Sequence, residues 1–294
     1  MKDFRQIAVS PTGSKIALGA FEKHVKIVDL LTKETQAEFE TILDFGGRRL
    51  AIHEDGEICV CGCWERHGII GYSTRDGAIL WQRKDLKKLQ GFRSLRSAPD
   101  KLFAEFGKGT SCILNFKNGK TFKDLPRIKD YAESAFEPID LLEGGKHFSI
   151  VERDSQKTQC RIERQSFGTL NIAFGPGSVC VSESGWQLYC YDTKTGQQKW
   201  HISSEVREHA LRLSYNRIMN RYLAVFWPYE HGGDHTLRII NPDTGSIENS
   251  IPFKNMIESA FALDGEVLVG IHFVAKECVC RLHHIRTGKT EELA

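Results

Sequence analysis

Short turns recur along the chain at intervals of about 42 residues, and this period restricts the possible folds more than any other feature of the sequence. Each turn is rich in Gly, Pro, Asp or Asn, which reverse a strand tightly, and each is followed by a short apolar run. These turns lie at residues 11–13, 54–56, 98–100, 144–145, 175–177, 216–220 and 263–265.

A second family of turns alternates with the first. In each of them a small polar residue or His is followed four positions later by Gly, which takes the positive φ that closes a hairpin. The pairs are Ser73 with Gly77, Asn115 with Gly119, Asp192 with Gly196, Asn241 with Gly245, and His284 with Gly288, and residues 29–33 form a degenerate member.

Together the two families predict one antiparallel meander of four strands per period. No segment has a sustained helical periodicity, so we expect few helices. Repeats of this length are typical of β-propeller blades, whereas a β-sandwich would not repeat both turns at one spacing. The sequence therefore predicts an all-β, seven-bladed β-propeller that occupies residues 1–294 as a single domain, with six blades as the alternative.

One interval in the first family is short, between Gly145 and Gly177. No clear strand pattern follows residues 158–163 before the next period begins. We therefore predict that the fourth blade lacks a full outer strand, since outer strands bury the least surface.

The composition restricts the function. The 40 basic and 38 acidic residues leave a net charge of +2, so a nucleic-acid partner is not expected. No apolar run is long enough for a membrane helix, so no membrane partner is expected. The beginning of the chain has no apolar signal-like stretch, and the nine cysteines are an odd number. These features predict a reduced, cytoplasmic protein.

Residues 188–200 carry a recognisable repeat, with Asp192, Thr195-Gly196 and Trp200 at characteristic spacing, and Ser73, Gly77 and Trp81 form a second copy. This pattern resembles the repeat of pyrroloquinoline-quinone-type propellers, and residues 8–17 resemble a WD-repeat propeller. The resemblance implies a propeller fold. Quinone-using members carry adjacent cysteines near the cofactor, and this chain has no such pair. No cofactor is therefore expected.

In a propeller, the loops from the second to the third strand lie on one face. Aromatic residues and Arg dominate interface energetics, and loops hold them out from a rigid scaffold. The sixth of these loops is longer than a hairpin needs. The alternative is that the aromatic residues close the core and the charged residues are merely solvated. The predicted binding-face residues are Lys23, His24, Trp64, Arg66, His67, Trp227, Tyr229 and His231.

Three other groups of residues are weaker candidates. His24, His67, His231 and His235 would need to converge with Asp234 to bind a metal, but none of them has a known ligand spacing, so no metal is expected. Cys59, Cys61 and Cys63 alternate on one strand, as do Cys278 and Cys280, and we expect them to pack in the core. The basic stretch from Arg83 to Arg96 is either an anion site or a solvated rim.

These observations predict a non-enzymatic protein-binding propeller, such as a scaffold, an adaptor or an immunity protein that neutralises a toxin. Its partner would be another protein that docks on the face of the second-to-third strand loops. The alternative is a propeller hydrolase of the lactonase type, with or without a metal. Its polar cluster would come from Glu22, Glu65, His67, Asp234 and His235.

Overall fold

A computed structural model shows seven four-stranded antiparallel sheets arranged in a ring. It describes residues 3–20, 23–42, 49–62, 68–85, 92–98, 100–106, 110–126, 130–165, 171–183, 187–203, 208–228 and 234–293. The described residues include a short 3-10 turn at Leu263–Gly265. No helix in the described ranges has the length and apolar character needed to cross a bilayer.

Each sheet is one blade made of four consecutive strands. Blade 1 consists of β1 Phe4–Val9, β2 Lys15–Ala20, β3 His24–Asp29 and β4 Thr35–Glu40, and blade 2 of β5 Arg49–Ile52, β6 Ile58–Gly62, β7 Ile69–Ser73 and β8 Ile79–Arg83. Blade 3 consists of β9 Phe92–Ala98, β10 Lys101–Phe106, β11 Thr110–Asn115 and β12 Thr121–Pro126. Blade 4 consists of β13 Asp130–Glu133, β14 Ile139–Glu143, β15 His147–Glu152 and β16 Thr158–Glu163.

Blades 5 to 7 follow the same plan. Blade 5 consists of β17 Asn171–Gly175, β18 Ser178–Glu183, β19 Gln187–Asp192 and β20 Gln198–Ser203. Blade 6 consists of β21 Glu208–Asn216, β22 Arg221–Pro228, β23 His235–Ile240 and β24 Ile247–Phe253. Blade 7 consists of β25 Met256–Ala262, β26 Val267–Val274, β27 Glu277–His284 and β28 Thr290–Leu293.

The first strand of each blade lies nearest the axis of the ring. First strands of neighbouring blades contact each other at the described interfaces other than that between blades 3 and 4, and the contact between β1 and β25 closes the ring. Second strands such as β6 are buried along their whole length, because each blade packs between two others. Outer strands such as β4 and β16 are mostly exposed, which explains their polar sequences.

Buried apolar residues form one cluster at each of the seven blade interfaces. At the closure, Ile16 and Leu18 of blade 1 pack with Val269 and Leu282 of blade 7. The interface between blades 3 and 4 has the smallest cluster among the described residues. Its fully buried members are Phe103, Ile113, Leu125 and Tyr131.

Two tryptophans join neighbouring blades. Trp81 Nε1 of blade 2 donates a hydrogen bond to the Phe116 carbonyl of blade 3, at 3.0 Å. Trp200 Nε1 of blade 5 donates to the Pro242 carbonyl of blade 6, at 2.8 Å. Each indole thus lies against a hairpin turn of the next blade, which gives the repeated Trp of the sequence a structural role.

The predicted seven-bladed fold is confirmed, but the predicted defect in the fourth blade is wrong. Residues Thr158–Glu163 are themselves the outer strand, β16, and pair with β15 along its length. Gly144 and Gly145 form the tight connection between the second and third strands, β14 and β15. The turn between β13 and β14 contains no glycine, so the sequence pattern assigned Gly144–Gly145 to the wrong position in the blade.

The second family of turns lies between the third and fourth strands, as predicted. In blade 1 the positive φ falls on Lys33 rather than on glycine, and in blade 4 it falls on Gln156. The Gln156 amide donates to the Glu152 carbonyl at 2.8 Å, just as the Gly196 amide donates to that of Asp192 at 2.9 Å. The turn geometry is therefore preserved where its usual residue is missing.

Candidate binding surfaces

The ring has two faces. We call the end that carries the second-to-third strand loops and the links between blades the loop face, and the opposite end the turn face. The predicted binding residues belong to the loop face. The structure describes Lys23, His24 and Trp227, whereas Trp64, Arg66, His67, Tyr229 and His231 lie outside the described residues.

His24 and Lys23 lie next to each other but differ in exposure. His24 is buried at the start of β3, where Nε2 lies 3.4 Å from Glu38 Oε2 and the ring contacts Phe4. Lys23 is exposed and has a φ of 60°. Its carbonyl accepts a hydrogen bond from the Thr41 amide at 2.6 Å, which connects the loop to the link toward blade 2. Of the two side chains, only Lys23 faces solvent.

Trp227 occupies a two-stranded extension of blade 6. β21 and β22 pair as far as Glu208 and Pro228, with Trp227 opposite His209, whereas β22 pairs with β23 only up to Phe226. The indole is partly exposed, and its ring meets that of His235 edge-on with centroids 6.1 Å apart. The sixth blade is therefore enlarged on the loop face by ordered strand as well as by loop.

An ion pair connects the strands of this extension. Arg238 Nη2 of β23 donates to Glu208 Oε2 at the end of β21, at 2.6 Å, and both side chains are largely buried. The guanidinium also lies over the ring of Phe226, 4.2 Å from its centroid. Arg238 thus holds three strands together beneath Trp227 and Pro228.

A chain of imidazoles leads from Trp227 into the interface between blades 6 and 7. His235 is buried, and this burial lowers its pKa to about 4, with a smaller contribution from the nearby His272. The Nε2 atoms of His272 and His283 are 2.8 Å apart, and both rings are buried. Gly270 makes room for this pair, because a β-carbon there would stand 2.8 Å from His272 Nε2.

The hydrogen bonds determine which nitrogens carry protons. His272 Nδ1 lies 2.9 Å from the Lys254 carbonyl, which can only accept, so Nδ1 is the donor. In a neutral ring the Nε2 of His272 then accepts from Nε2–H of His283. His283 Nδ1 in turn accepts from the Thr290 hydroxyl at 3.0 Å. Both rings are therefore neutral. The pKa of His283 agrees with this, because burial, and to a smaller extent the neighbouring His272, lower it to about 4.

The described residues do not bring together the side chains proposed for the alternative metal and hydrolase sites. Those residues contain no group of three or more His, Cys, Asp or Glu side chains placed to hold a metal ion. His24 and His235 are both buried, each with neighbours in its own blade. Asp234 is exposed beside His235, and Glu22, Glu65 and His67 lie outside the described part of the chain.

The paired cysteines pack as expected. Cys59 and Cys61 are buried in the cluster between blades 1 and 2, while Cys63 lies outside the described residues. Cys280 is buried at the ring closure, and burial raises the pKa of its thiol to about 12. The Cys278 thiol donates to Asp3 Oδ1 at 2.8 Å. These thiols act as small core residues.

The basic stretch is partly structural. Arg83 makes two hydrogen bonds to Asp85, at 2.8 and 2.7 Å, and donates to the Gly119 carbonyl of blade 3 at 2.7 Å. Residues 86–91 lie outside the described residues. Arg96 lies on the opposite, turn-face side, where it lines a cavity.

This turn-face cavity has a volume of about 500 Å³ and opens where blades 3 and 4 meet near the axis. Three of its lining residues, Phe103, Ile113 and Tyr131, belong to the small cluster between these blades. Pro11 and Glu54 bring the turns of blades 1 and 2 to its rim. The cavity thus takes residues from four blades.

A partly buried ionic network forms one wall of the turn-face cavity. The Tyr131 hydroxyl contacts both Glu133 and Asp140 Oδ2, the latter at 3.1 Å. Lys101 Nζ donates to Glu133 at 3.3 Å, and Arg153 Nε donates to Asp140 Oδ1 at 2.9 Å. Burial, together with the two carboxylates, raises the pKa of Tyr131, so its hydroxyl remains a donor.

This cavity was not predicted from the sequence. Its residues are scattered over four blades, and only the fold brings them together. A usable signal was Asp140, which interrupts an apolar run in the second strand of blade 4.

No protein-family model matches the chain, and a search of curated proteins finds no match. Among solved structures, BamB from Moraxella catarrhalis is 12% identical, covers 95% of this chain and 85% of its own, and has a TM-score of 0.62. The beta-propeller domain of Cps50 (Swd1) from Myceliophteria thermophila is also 12% identical, with 94% and 95% covered and a TM-score of 0.69.

A third similar structure is the dihydro-heme d1 dehydrogenase NirN in complex with DHE. It is 14% identical to this chain, with 99% of this chain and 66% of NirN covered and a TM-score of 0.65. At these identities the similarity concerns the fold alone. The chain is a seven-bladed β-propeller, in agreement with its resemblance to the quinone-type and WD-repeat-like propellers.

Proposed function

We propose that this protein is a non-enzymatic, protein-binding β-propeller of the scaffold, adaptor or immunity type, and that it acts in the cytoplasm. Its partner is another protein that docks on the loop face, with Trp227 as an anchor. The observation that supports this proposal is the partly exposed indole at the end of the extended β21–β22 pair.

The surroundings of Trp227 suit an interface anchor. Aromatic residues that are already ordered lose little conformational entropy on binding and dominate the energy of many interfaces. The contact with His235 holds the ring from one side, and the Arg238–Glu208 ion pair stabilises the strands beneath it. Folding thus fixes the ring before a partner arrives.

Affinity capture from the native host, followed by titration of the captured protein, tests this proposal. We expect Trp227→Ala to weaken binding by about 2 kcal/mol, or roughly 30-fold in Kd. Phe122→Ala is the matched control, because Phe122 is an exposed aromatic on outer strand β12. Equal thermal stability of the two variants would show that the loss is local.

Undiminished binding by Trp227→Ala would exclude this residue as the anchor. Loss of binding in both variants would point to the rim of the ring instead. Either result would contradict docking through the enlarged sixth blade.

A further inference from the structure

The turn-face cavity has the dimensions and lining of a small-molecule site. Its volume of about 500 Å³ lies within the range of roughly 300–1,000 Å³ that is usual for such sites. The partly exposed apolar residues of the lining are Pro11, Ala98 and Ala132. Phe103, Ile113 and Tyr131 lie beneath them and are 2–6% exposed, with the rings of Phe103 and Tyr131 5.7 Å apart. A flat, apolar group fits this part of the lining.

The cationic residues of the wall are held in place but keep hydrogen-bond donors. Arg153 uses Nε on Asp140 and Nη2 on the Ser134 carbonyl at 2.7 Å, while its Nη1 bonds to no described residue. Lys101 uses one of its three N–H groups on Glu133. Arg96 is a third cation in the lining.

The charged groups that line the cavity have a small excess of positive charge. Asp140, which accepts from Arg153 Nε, is buried and does not line the cavity. The lining holds three cations, Arg96, Lys101 and Arg153, and two carboxylates, Glu54 and Glu133. An anionic ligand would offset this excess, because a carboxylate forms short, charge-assisted hydrogen bonds with Arg or Lys.

We propose that the turn-face cavity binds a small organic anion with a flat apolar body, such as an aromatic carboxylate. The flat body lies on the apolar part of the lining, and the carboxylate accepts hydrogen bonds from Lys101 and Arg153. This site lies on the face opposite the proposed docking surface and is independent of it.

Three probes of one shape test the proposal by calorimetry: benzene-1,3-dicarboxylate, its neutral diamide, and the corresponding bis(aminomethyl)benzene dication. We expect the dicarboxylate to bind at least about tenfold more tightly than the diamide, since its hydrogen bonds are charge-assisted. The dication should bind most weakly of the three, because the lining holds three cations against two carboxylates. Equal affinity for the first two probes, preference for the dication, or no binding at all would overturn the proposal.

Two variants locate the site. Lys101→Gln should weaken binding of the dicarboxylate about tenfold. Lys199→Gln is the matched control and should have no effect, because Lys199 is also about one-third exposed and paired with a carboxylate, but lies on blade 5. Ala98→Leu, which narrows the cavity, should abolish binding without altering the ion pairs. Unchanged binding in both Lys101→Gln and Ala98→Leu would place the anion elsewhere and refute the site.

Discussion

The indole of Trp81 lies so close to Gly119 of the next blade that a β-carbon on Gly119 would stand 2.4 Å from Cε3 of the ring. The same indole donates its N–H to the turn that contains Gly119, through the Phe116 carbonyl. The residue that closes the hairpin of one blade therefore also provides the contact surface for the blade before it.

A substitution at Gly119 should lower the free energy of unfolding more than a substitution at an equivalent turn that no indole contacts. Gly119 and Gly288 have nearly the same φ, 67° and 68°, but nothing lies within 4 Å of a β-carbon at Gly288. We expect Gly288→Ala to lower the free energy of unfolding by about 1 kcal/mol through backbone strain alone. Gly119→Ala should lower it by about 3 kcal/mol, because the indole must also move. Urea unfolding measures both, and equal losses would contradict the packing role.

The buried imidazoles should make stability fall as the pH is lowered. His235 and His283 have pKa values of about 4 in the folded protein, below the ordinary 6.5. Between these pH values the unfolded chain binds protons that the native state does not. Each histidine then lowers the free energy of unfolding by about 1.4 kcal/mol per unit of decreasing pH. The loss is complete near pH 4.

His283→Gln should remove the contribution of one histidine to this pH dependence, which is about 1.4 kcal/mol per pH unit. Urea midpoints of the variant and the parent protein, compared from pH 7 to pH 4.5, measure the difference, because the acidic residues contribute to both proteins alike. Between pH 7 and pH 8 the difference should stay constant. Parallel curves over the whole range would show that His283 does not remain neutral in the fold.

A buried ion pair stabilises blade 4. Arg164 and Glu143 form a hydrogen-bonded pair with side chains that are 2% and 4% exposed, and Arg164 lies over the ring of Phe148. Glu143→Gln should lower the free energy of unfolding by about 3–5 kcal/mol, because it removes the negative charge that a buried guanidinium contacts. The double variant Glu143→Leu, Arg164→Met should recover most of that loss.

The control for this pair is Glu292→Gln, which removes an exposed partner of Arg281 in blade 7. Exposed pairs contribute little, so this change should barely move the urea midpoint. If Glu143→Gln behaved like Glu292→Gln, the Arg164 pair would have to be accessible to water.

The thiols of the described residues should differ sharply in reactivity. Cys160 is partly exposed, and burial raises the pKa of its thiol. Cys112 and Cys190 are buried, and burial raises their pKa values to about 12. In a Cys63→Ser background at pH 8, an aromatic disulfide reagent should react first with Cys160, and with the others only after unfolding. A rapid reaction that survived replacement of Cys160 by Ser would contradict this order.

The blades could be predicted from sequence because their turns depend on local chemistry. Asp192 and Gly196 determine a hairpin through their own backbone and side chain, so the pattern identifies it. The fourth blade shows the limit of this reasoning. Gly144–Gly145 has the composition of one turn and the position of another, and only the strand pairing distinguishes them.

The two faces differ in how far sequence could predict them. Trp227 was predicted from the unusual length of one loop, which is a local property. The turn-face cavity depends on Lys101, Tyr131 and Arg153, which come together only when blades 3 and 4 meet. Most of its polar network belongs to blade 4, and only the fold adds Lys101 of blade 3 and the lining residues of blades 1 and 2.

The way in which the ring closes has a mechanical consequence. Each blade is made of four consecutive strands, so no strand is shared between blade 7 and blade 1. Side-chain contacts therefore hold this interface, where ten buried apolar residues pack together. Because no backbone link runs from blade 7 to blade 1, the ring is expected to part first there under thermal stress.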